Sequence, residues 1–325
     1  MPENTADKSL NSSTINETSG DKVYTVGDVS FIMKPIAAVT DGVIGHSSAD
    51  SNKPHTVTLS AYFIGETLVT QELWQAVMGN NPSYFDNTGI KTSRYYNQSA
   101  RIDTSIASGE HQLKRPVENI SWYDCIAFCN KLSLQLGLEP CYAVIKDGKP
   151  IDFQTLVHDE IPTLDNDDTQ NSDAWDKTAL DMNKNGFRLP TEAEWEWAAK
   201  GGTNSKWPGT DTKTELKNYA WYDENSGMKT HEVKKKLPNG YGLYDMGGNI
   251  WEWCWDLFDE KDIIKWLRPI PSLRLGLLLL RLLGISLYRT IHALSIFFLL
   301  LMILAVCVWY AQNNRLNPIL IHAGG

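Results

Sequence analysis

The stretch Gly242-Leu-Tyr-Asp-Met-Gly-Gly-Asn-Ile-Trp-Glu-Trp-Cys-Trp-Asp256 says more about the fold than any other part of this 325-residue chain. Trp251, Trp253 and Trp255 alternate with Glu252 and Cys254, the period of two that sends alternate side chains to opposite faces of a strand. An indole buries a large area, so the simplest use of such a set is to fill the core of a domain poor in regular structure. A stacking surface for a substrate is the alternative. Trp195 and Trp197 add to the same aromatic cluster.

Working outward, three helices announce their own ends. Thr70 caps a helix over Gln71–Met78 that stops at Gly79 and buries Leu73, Trp74, Val77 and Met78. Ser121-Trp-Tyr-Asp124 comes close to a capping box and opens a helix with Trp122, Cys125, Ile126, Cys129, Leu132 and Leu136 on its apolar face, closed by Gly137. Thr191-Glu-Ala-Glu194 is a full capping box for a helix running to Lys200, ended by Gly201, with Ala193, Trp195 and Ala198 or their neighbours inside. Val23-Tyr-Thr-Val and Val29-Ser-Phe-Ile-Met33 read as short strands, and His55–Ile64 as another. Between these elements, residues 79–116 and 147–186 are long and rich in turn residues, which predicts a few elements holding a large irregular surface.

Composition separates two regions. The segment after Asp256 holds three acidic and seven basic residues and is therefore +4, so the chain's −9 leaves −13 on residues 1–256. An acidic body argues against nucleic-acid binding, which needs a basic face. The five cysteines (Cys125, Cys129, Cys141, Cys254, Cys307) are odd in number and show no short repeated spacing, so they are not a disulfide framework. Cys125 and Cys129 read as small core residues; a metal pair would need further ligands, and no CxxC or HExxH occurs. Residues 1–22 are polar, lack a secretory signal and read as disordered.

Four ordered blocks resemble the formylglycine-generating enzyme, or sulfatase-modifying factor, family. They are Lys53-Pro-His-Thr-Val-Thr-Leu59 running into Phe63–Thr70, Pro116-Val-Glu-Asn-Ile-Ser-Trp-Tyr-Asp124, the Phe-Arg-Leu-Pro-Thr-Glu-Ala-Glu-Trp-Glu run over Phe187–Glu196, and Pro238–Trp253. The resemblance implies an α+β, C-type-lectin-like, loop-rich fold over residues 23–256. It also implies a structural calcium held by Asp245, the carbonyls of Gly248 and Ile250, and Glu252, hard oxygen donors on a Gly-containing turn. The other reading is that Asp245 and Glu252 bond backbone amides. A second calcium site of the enzyme begins near the position of Trp221 and is expected to be lost. The enzyme oxidises a sulfatase cysteine with oxygen and copper held by two cysteines beyond the Trp-Glu-Trp motif. Here only Cys307 lies beyond Cys254, so no catalytic cysteine is assigned, Cys254 is read as structural, and copper is expected only in complete members. An iron-binding branch uses a His-x3-His-x-Glu pattern that the seven histidines do not show; His55 reads as bonded and half-buried.

Past Asp256 the family's closing strands are replaced by a basic, Leu-rich linker (257–290), an uncharged span within 291–311 ending near Trp309 and Tyr310, and a short tail (312–325). The span is long enough for a transmembrane helix, and the flanking arginines place the main domain in the cytoplasm as a single-pass membrane protein. A genuine anchored variant and a frameshift or fusion product both fit this join. The functional expectation is a sulfatase-modifying-factor-like domain that lacks the cysteine-oxidising activity because its catalytic C-terminal segment is absent. The alternative is a non-catalytic, membrane-anchored binding or scaffold module with a peptide or protein partner.

Overall fold

A computed structural model describes residues 12–15, 20–47, 52–92, 101–162 and 169–256. The linker, the apolar span and the tail after Asp256 lie outside the described residues, as does Cys307. Among the described residues, no helix is long and apolar enough to cross a membrane.

The sheet is antiparallel, in the order β1 (Ser12–Ile15), β2 (Lys22–Val26), β3 (Val29–Ile36) and β6 (Tyr62–Gly65). β2 and β3 pair from Lys22↔Met33 to Val26↔Val29, so both strands read from alternation are present. β1 corrects the expectation that residues 1–22 are disordered: Ser12–Ile15 pairs with Lys22–Thr25. Backbone pairing needs no apolar side chain, so composition alone misses such a strand. A second correction concerns His55–Ile64. It is two strands, because β5 (His55–Leu59) pairs with β4 (Val39–Ile44) while β6 pairs with β3. The break at Ser60 and Ala61 lets one apolar run serve two sheets.

The helices end where their caps place them. α1 spans Gln71–Met78, with Thr70 Oγ1 accepting from Leu73 N and Gly79 in the left-handed region at φ 81°. α2 spans Trp122–Gln135, and its capping box is complete: Ser121 Oγ accepts from Asp124 N while Asp124 Oδ2 accepts from Ser121 N. Its buried set includes Tyr123, Asp124, Asn130 and Ser133, so α2 is enclosed on all sides rather than amphipathic. Asn130 Nδ2 donates to Tyr142 O at 2.8 Å and its Oδ1 accepts from Tyr142 N at 3.1 Å, which satisfies an amide at zero exposure. A short helix, α3, spans Thr169–Trp175. α4 spans Glu192–Lys200 with the expected Thr191/Glu194 box and Gly201 at φ 59°.

Two cores result. The larger joins Val26, α1 (Leu73, Trp74, Val77), α2, Trp175 of α3 and loop residues such as Val144 and Phe153; Trp74 stacks on Phe128 with centroids 4.9 Å apart. The smaller lies under α4 and holds Ile36, Trp195, Ala198, Ala199, Leu243, Met246 and Cys254. The 251–256 run passes between them without entering a sheet, which corrects the strand reading. Its alternation still works: Trp253 and Trp255 pack on the larger core, Cys254 sits in the smaller, and Glu252 faces Trp195. The core-filling reading holds for Trp253 and Trp255, and for Trp195 and Trp197 in the smaller core, whereas Trp251 is half-buried and joins neither core. Trp122 Nε1 donates to Cys254 O and Trp253 Nε1 to Ile120 O, so neither burial leaves an orphan donor.

Candidate functional site

The signature turn is built from Asn239 onward. Asn239 Nδ2 donates to Ala198 O and Ala199 O at the end of α4, while its Oδ1 accepts from the amides of Tyr241 and Leu243. Gly240 passes so close to α4 that a Cβ would stand 2.2 Å from Gly201 O. Leu243 then drops into the smaller core, and Asp245 follows in the left-handed region at φ 60°. Asn249, at φ 74°, donates its N–H to Trp221 O and pairs its side-chain amide with the backbone of His231. Gly248 lies over Trp221, where a Cβ would come within 2.0 Å of the carbonyl oxygen; only glycine fits.

The structure brings the four sequence-predicted oxygen donors onto this one turn. Asp245 is buried and accepts from Lys234 N at 3.0 Å, with Asn249 Nδ2 at 3.5 Å. Glu252 Oε1 accepts from Trp195 Nε1 at 3.0 Å. Among the described residues, no hydrogen bond reaches the carbonyl oxygen of Gly248 or Ile250 or Glu252 Oε2, and neither carboxylate forms an ion pair with Lys or Arg. Burial pushes the Glu252 carboxyl up to about 7, and the charge of Asp245 adds to the rise. Burial likewise raises Asp245 to about 6, against the pull of the Lys234 amide, Asn249, His231 and Lys236. The buried Asp245 carboxylate and the half-buried Glu252 carboxylate, whose proton affinity the Asp245 charge raises, suit a hard cation in donor type and charge beside unused carbonyls. The amide-bonding alternative also has its share: Asp245 already accepts from two N–H groups and Glu252 from one.

Trp221 stacks on His231 with centroids 3.7 Å apart, and Lys236 Nζ stands 3.7 Å over its ring. Sequence reading did not anticipate the buried His231–Glu110 pair at 2.8 Å, because its partners are 121 residues apart. It also missed Arg115 and Glu118, which flank the Pro116-Val117 motif and are buried. His55 is exposed rather than half-buried, bonding Lys53 O through Nδ1 at 2.9 Å.

All four described cysteines are free and buried. Burial pushes Cys129 up to about 12 and raises Cys125 and Cys141. Cys254 is raised well above an ordinary thiol, first by burial and then by Asp256, Glu252, Glu192 and Glu194 around it. Reactive thiolates need an electropositive, accessible setting, and Cys254 has the opposite.

Comparison with known proteins agrees with this architecture. The profile of the sulfatase-modifying factor enzyme 1-like domain matches residues 27–281, past the Asp256 at which the four motif blocks end. The chaperone protein LppX of Paenibacillus barcinonensis is 33% identical over 238 residues, covering 67% of this chain and 70% of that one. The formylglycine-generating enzyme of Streptomyces coelicolor is 36% identical over 96 residues, which is 22% of this chain and 27% of the enzyme; the chain therefore matches about a quarter of that enzyme's length. Treponema denticola variable protein 1 superposes with a TM-score of 0.65 at 59% identity, covering 75% of this chain and 80% of that chain. On its motifs, its mixed helix–strand fold and these matches, the chain belongs to the sulfatase-modifying factor enzyme 1-like domain family.

Proposed function

We propose that this domain is a binding or scaffold module of the sulfatase-modifying-factor type that does not oxidise cysteine. The observation that carries the reading is that all four described cysteines are buried, Cys254 at the end of the signature motif among them. A thiolate there would face both desolvation and like charge. A relative bearing the name of a chaperone protein is in keeping with a binding role. The test is oxygen uptake by the full chain supplied with copper and a cysteine-containing sulfatase peptide. The expected result is uptake no faster than the protein-free blank and unchanged peptide mass. Saturable uptake with conversion of the peptide cysteine to formylglycine would overturn the reading.

The same proposal gives the signature turn a calcium ion, held by Asp245 and Glu252 through carboxylate oxygens and by Gly248 and Ile250 through carbonyls. Bound there, calcium would supply positive charge beside the buried Asp245 and the half-buried Glu252 carboxylates. The chain's own part is to hold those oxygens ready: Asn249 fixes the turn and Trp195 orients Glu252. Adding calcium to chelator-treated full chain is expected to raise its unfolding temperature by several degrees, since a ligand at 100 times its Kd contributes about 2.7 kcal/mol. Glu252→Gln is expected to abolish that rise. Equal unfolding temperatures with calcium and with chelator would remove calcium from the turn.

A further inference from the structure

Beside the C-terminal end of α4 lies a groove of about 310 Å³, the size of a small-ligand or side-chain pocket. Trp197 and Tyr241 form its aromatic walls, Val43 of β4 gives an exposed apolar edge, and Lys200 and Asn204 line its polar side. Both rings are set in place by glycines. A Cβ on Gly42 would stand 2.8 Å from the Trp197 ring, and one on Gly202 would stand 3.1 Å from Tyr241. Both rings also pack on the smaller core, so the walls exist before any ligand arrives.

Of the groove's polar groups, Thr203 Oγ1 donates to Lys200 O and accepts from Ser205 N, and several others are unused. Among the described residues, no hydrogen bond involves Trp197 Nε1, the Tyr241 hydroxyl or the Asn204 side-chain amide. Among the described residues, Lys200 Nζ donates once, to Gly45 O at 3.2 Å, and pairs with no carboxylate. No acidic side chain among the described residues lines the groove, although residues 1–256 carry −13 overall. Glu196, one turn earlier on α4, is buried and directs its oxygens to Gly45 N–H and Asn52. The site therefore suits an acceptor-rich, negatively charged ligand with an apolar body. β4, which borders it through Val43, pairs with β5 alone among the described residues, leaving an edge that suits an extended chain.

We propose that this groove binds an extended acidic peptide, with an apolar or aromatic side chain lodged between Trp197 and Tyr241 and a neighbouring carboxylate paired with Lys200. The proposal rests on the binding-module reading above and adds to it a place and a chemistry of partner. A charge-assisted hydrogen bond in a partly desolvated groove is worth about a tenfold change in Kd.

The probe is acetyl-Gly-Phe-Glu-Leu-Gly-amide, titrated calorimetrically into the full chain in detergent micelles and compared with its Gln-for-Glu counterpart. Saturable binding of the Glu peptide is expected, weakened about tenfold by Lys200→Met, which keeps the aliphatic stem, while the Gln peptide binds both proteins alike. Trp197→Phe, which keeps a ring against Gly42, is expected to weaken both peptides, and circular dichroism melts check that each variant folds. Equal affinity for the Glu and Gln peptides, or binding untouched by both variants, overturns the groove while leaving a binding module intact. Absence of peptide binding, or binding of glucuronate in its place, also overturns it. Failure of the wider reading shows separately, as copper-dependent oxygen uptake on a cysteine peptide.

Discussion

Arg115→Ala is expected to lower the unfolding free energy by about 3–5 kcal/mol, measured by denaturant unfolding of the full chain against wild type. Arg115 has zero exposure, so truncation leaves a large cavity. Its guanidinium donates to Thr230 O and Oγ1, to Thr104 O and to Gln112 Oε1, at 2.7 to 3.1 Å. Each of these acceptors would lose a charge-assisted partner inside the protein. The backbone of Arg115 also accepts from Gln71 N at the start of α1, so one residue joins a helix end to two long loops. Arg115→Lys is expected to recover only part of the loss, because a point-like ammonium cannot replace the planar fork that reaches Thr104 and Thr230 together. A loss below about 1 kcal/mol for the alanine variant would show that the loops close without this guanidinium.

Glu118→Gln is expected to change the pH dependence of stability. Burial pushes the Glu118 carboxyl up to about 7 from 4.5, with the amides of Phe85 and Tyr84 and the charges of Arg115 and Lys91 pulling against the rise. The folded protein therefore holds this proton over a range in which the unfolded chain has released it. With a raised folded pKa, stability is highest below the unfolded value, falls as pH rises from about 4.5 to about 7, and then levels off. The fall attributable to this group is on the order of 3 kcal/mol. Glutamine stays neutral throughout and still offers Oε1 to the Phe85 amide, which lies 2.9 Å from the glutamate oxygen. The stability of the variant relative to wild type should thus grow with pH across that window. A difference that stays constant from pH 4.5 to 8 would show that Glu118 titrates as it does in the unfolded chain.

The helices were the most legible part of the fold. Thr70, Ser121 and Thr191 each bond an amide three residues ahead, and the glycines after Met78 and Lys200 adopt the left-handed conformation that ends a helix. These are local interactions, complete within a few residues. The candidate calcium donors were legible for a related reason: Asp245, Gly248, Ile250 and Glu252 are supplied by one turn eight residues long. What sequence reading missed depends on distant partners. Glu196 sits in an otherwise ordinary helix pattern, yet it is buried because Gly45 and Asn52 arrive to receive it. His55–Ile64 reads as one strand, and only the presence of both β3 and β4 divides it.

By itself, the sequence determined the family blocks, the helix boundaries, the acidic balance of residues 1–256 and the two-faced alternation of the Trp253–Trp255 run, because each is written in neighbouring residues. Only the tertiary structure decided which carboxylates are buried, which cations among the described residues pair with a carboxylate, and which indoles face an open groove. Those properties follow from desolvation and from donors brought together across long stretches of chain, 155 residues at Lys200 and Gly45, and chain closure rather than local propensity sets them.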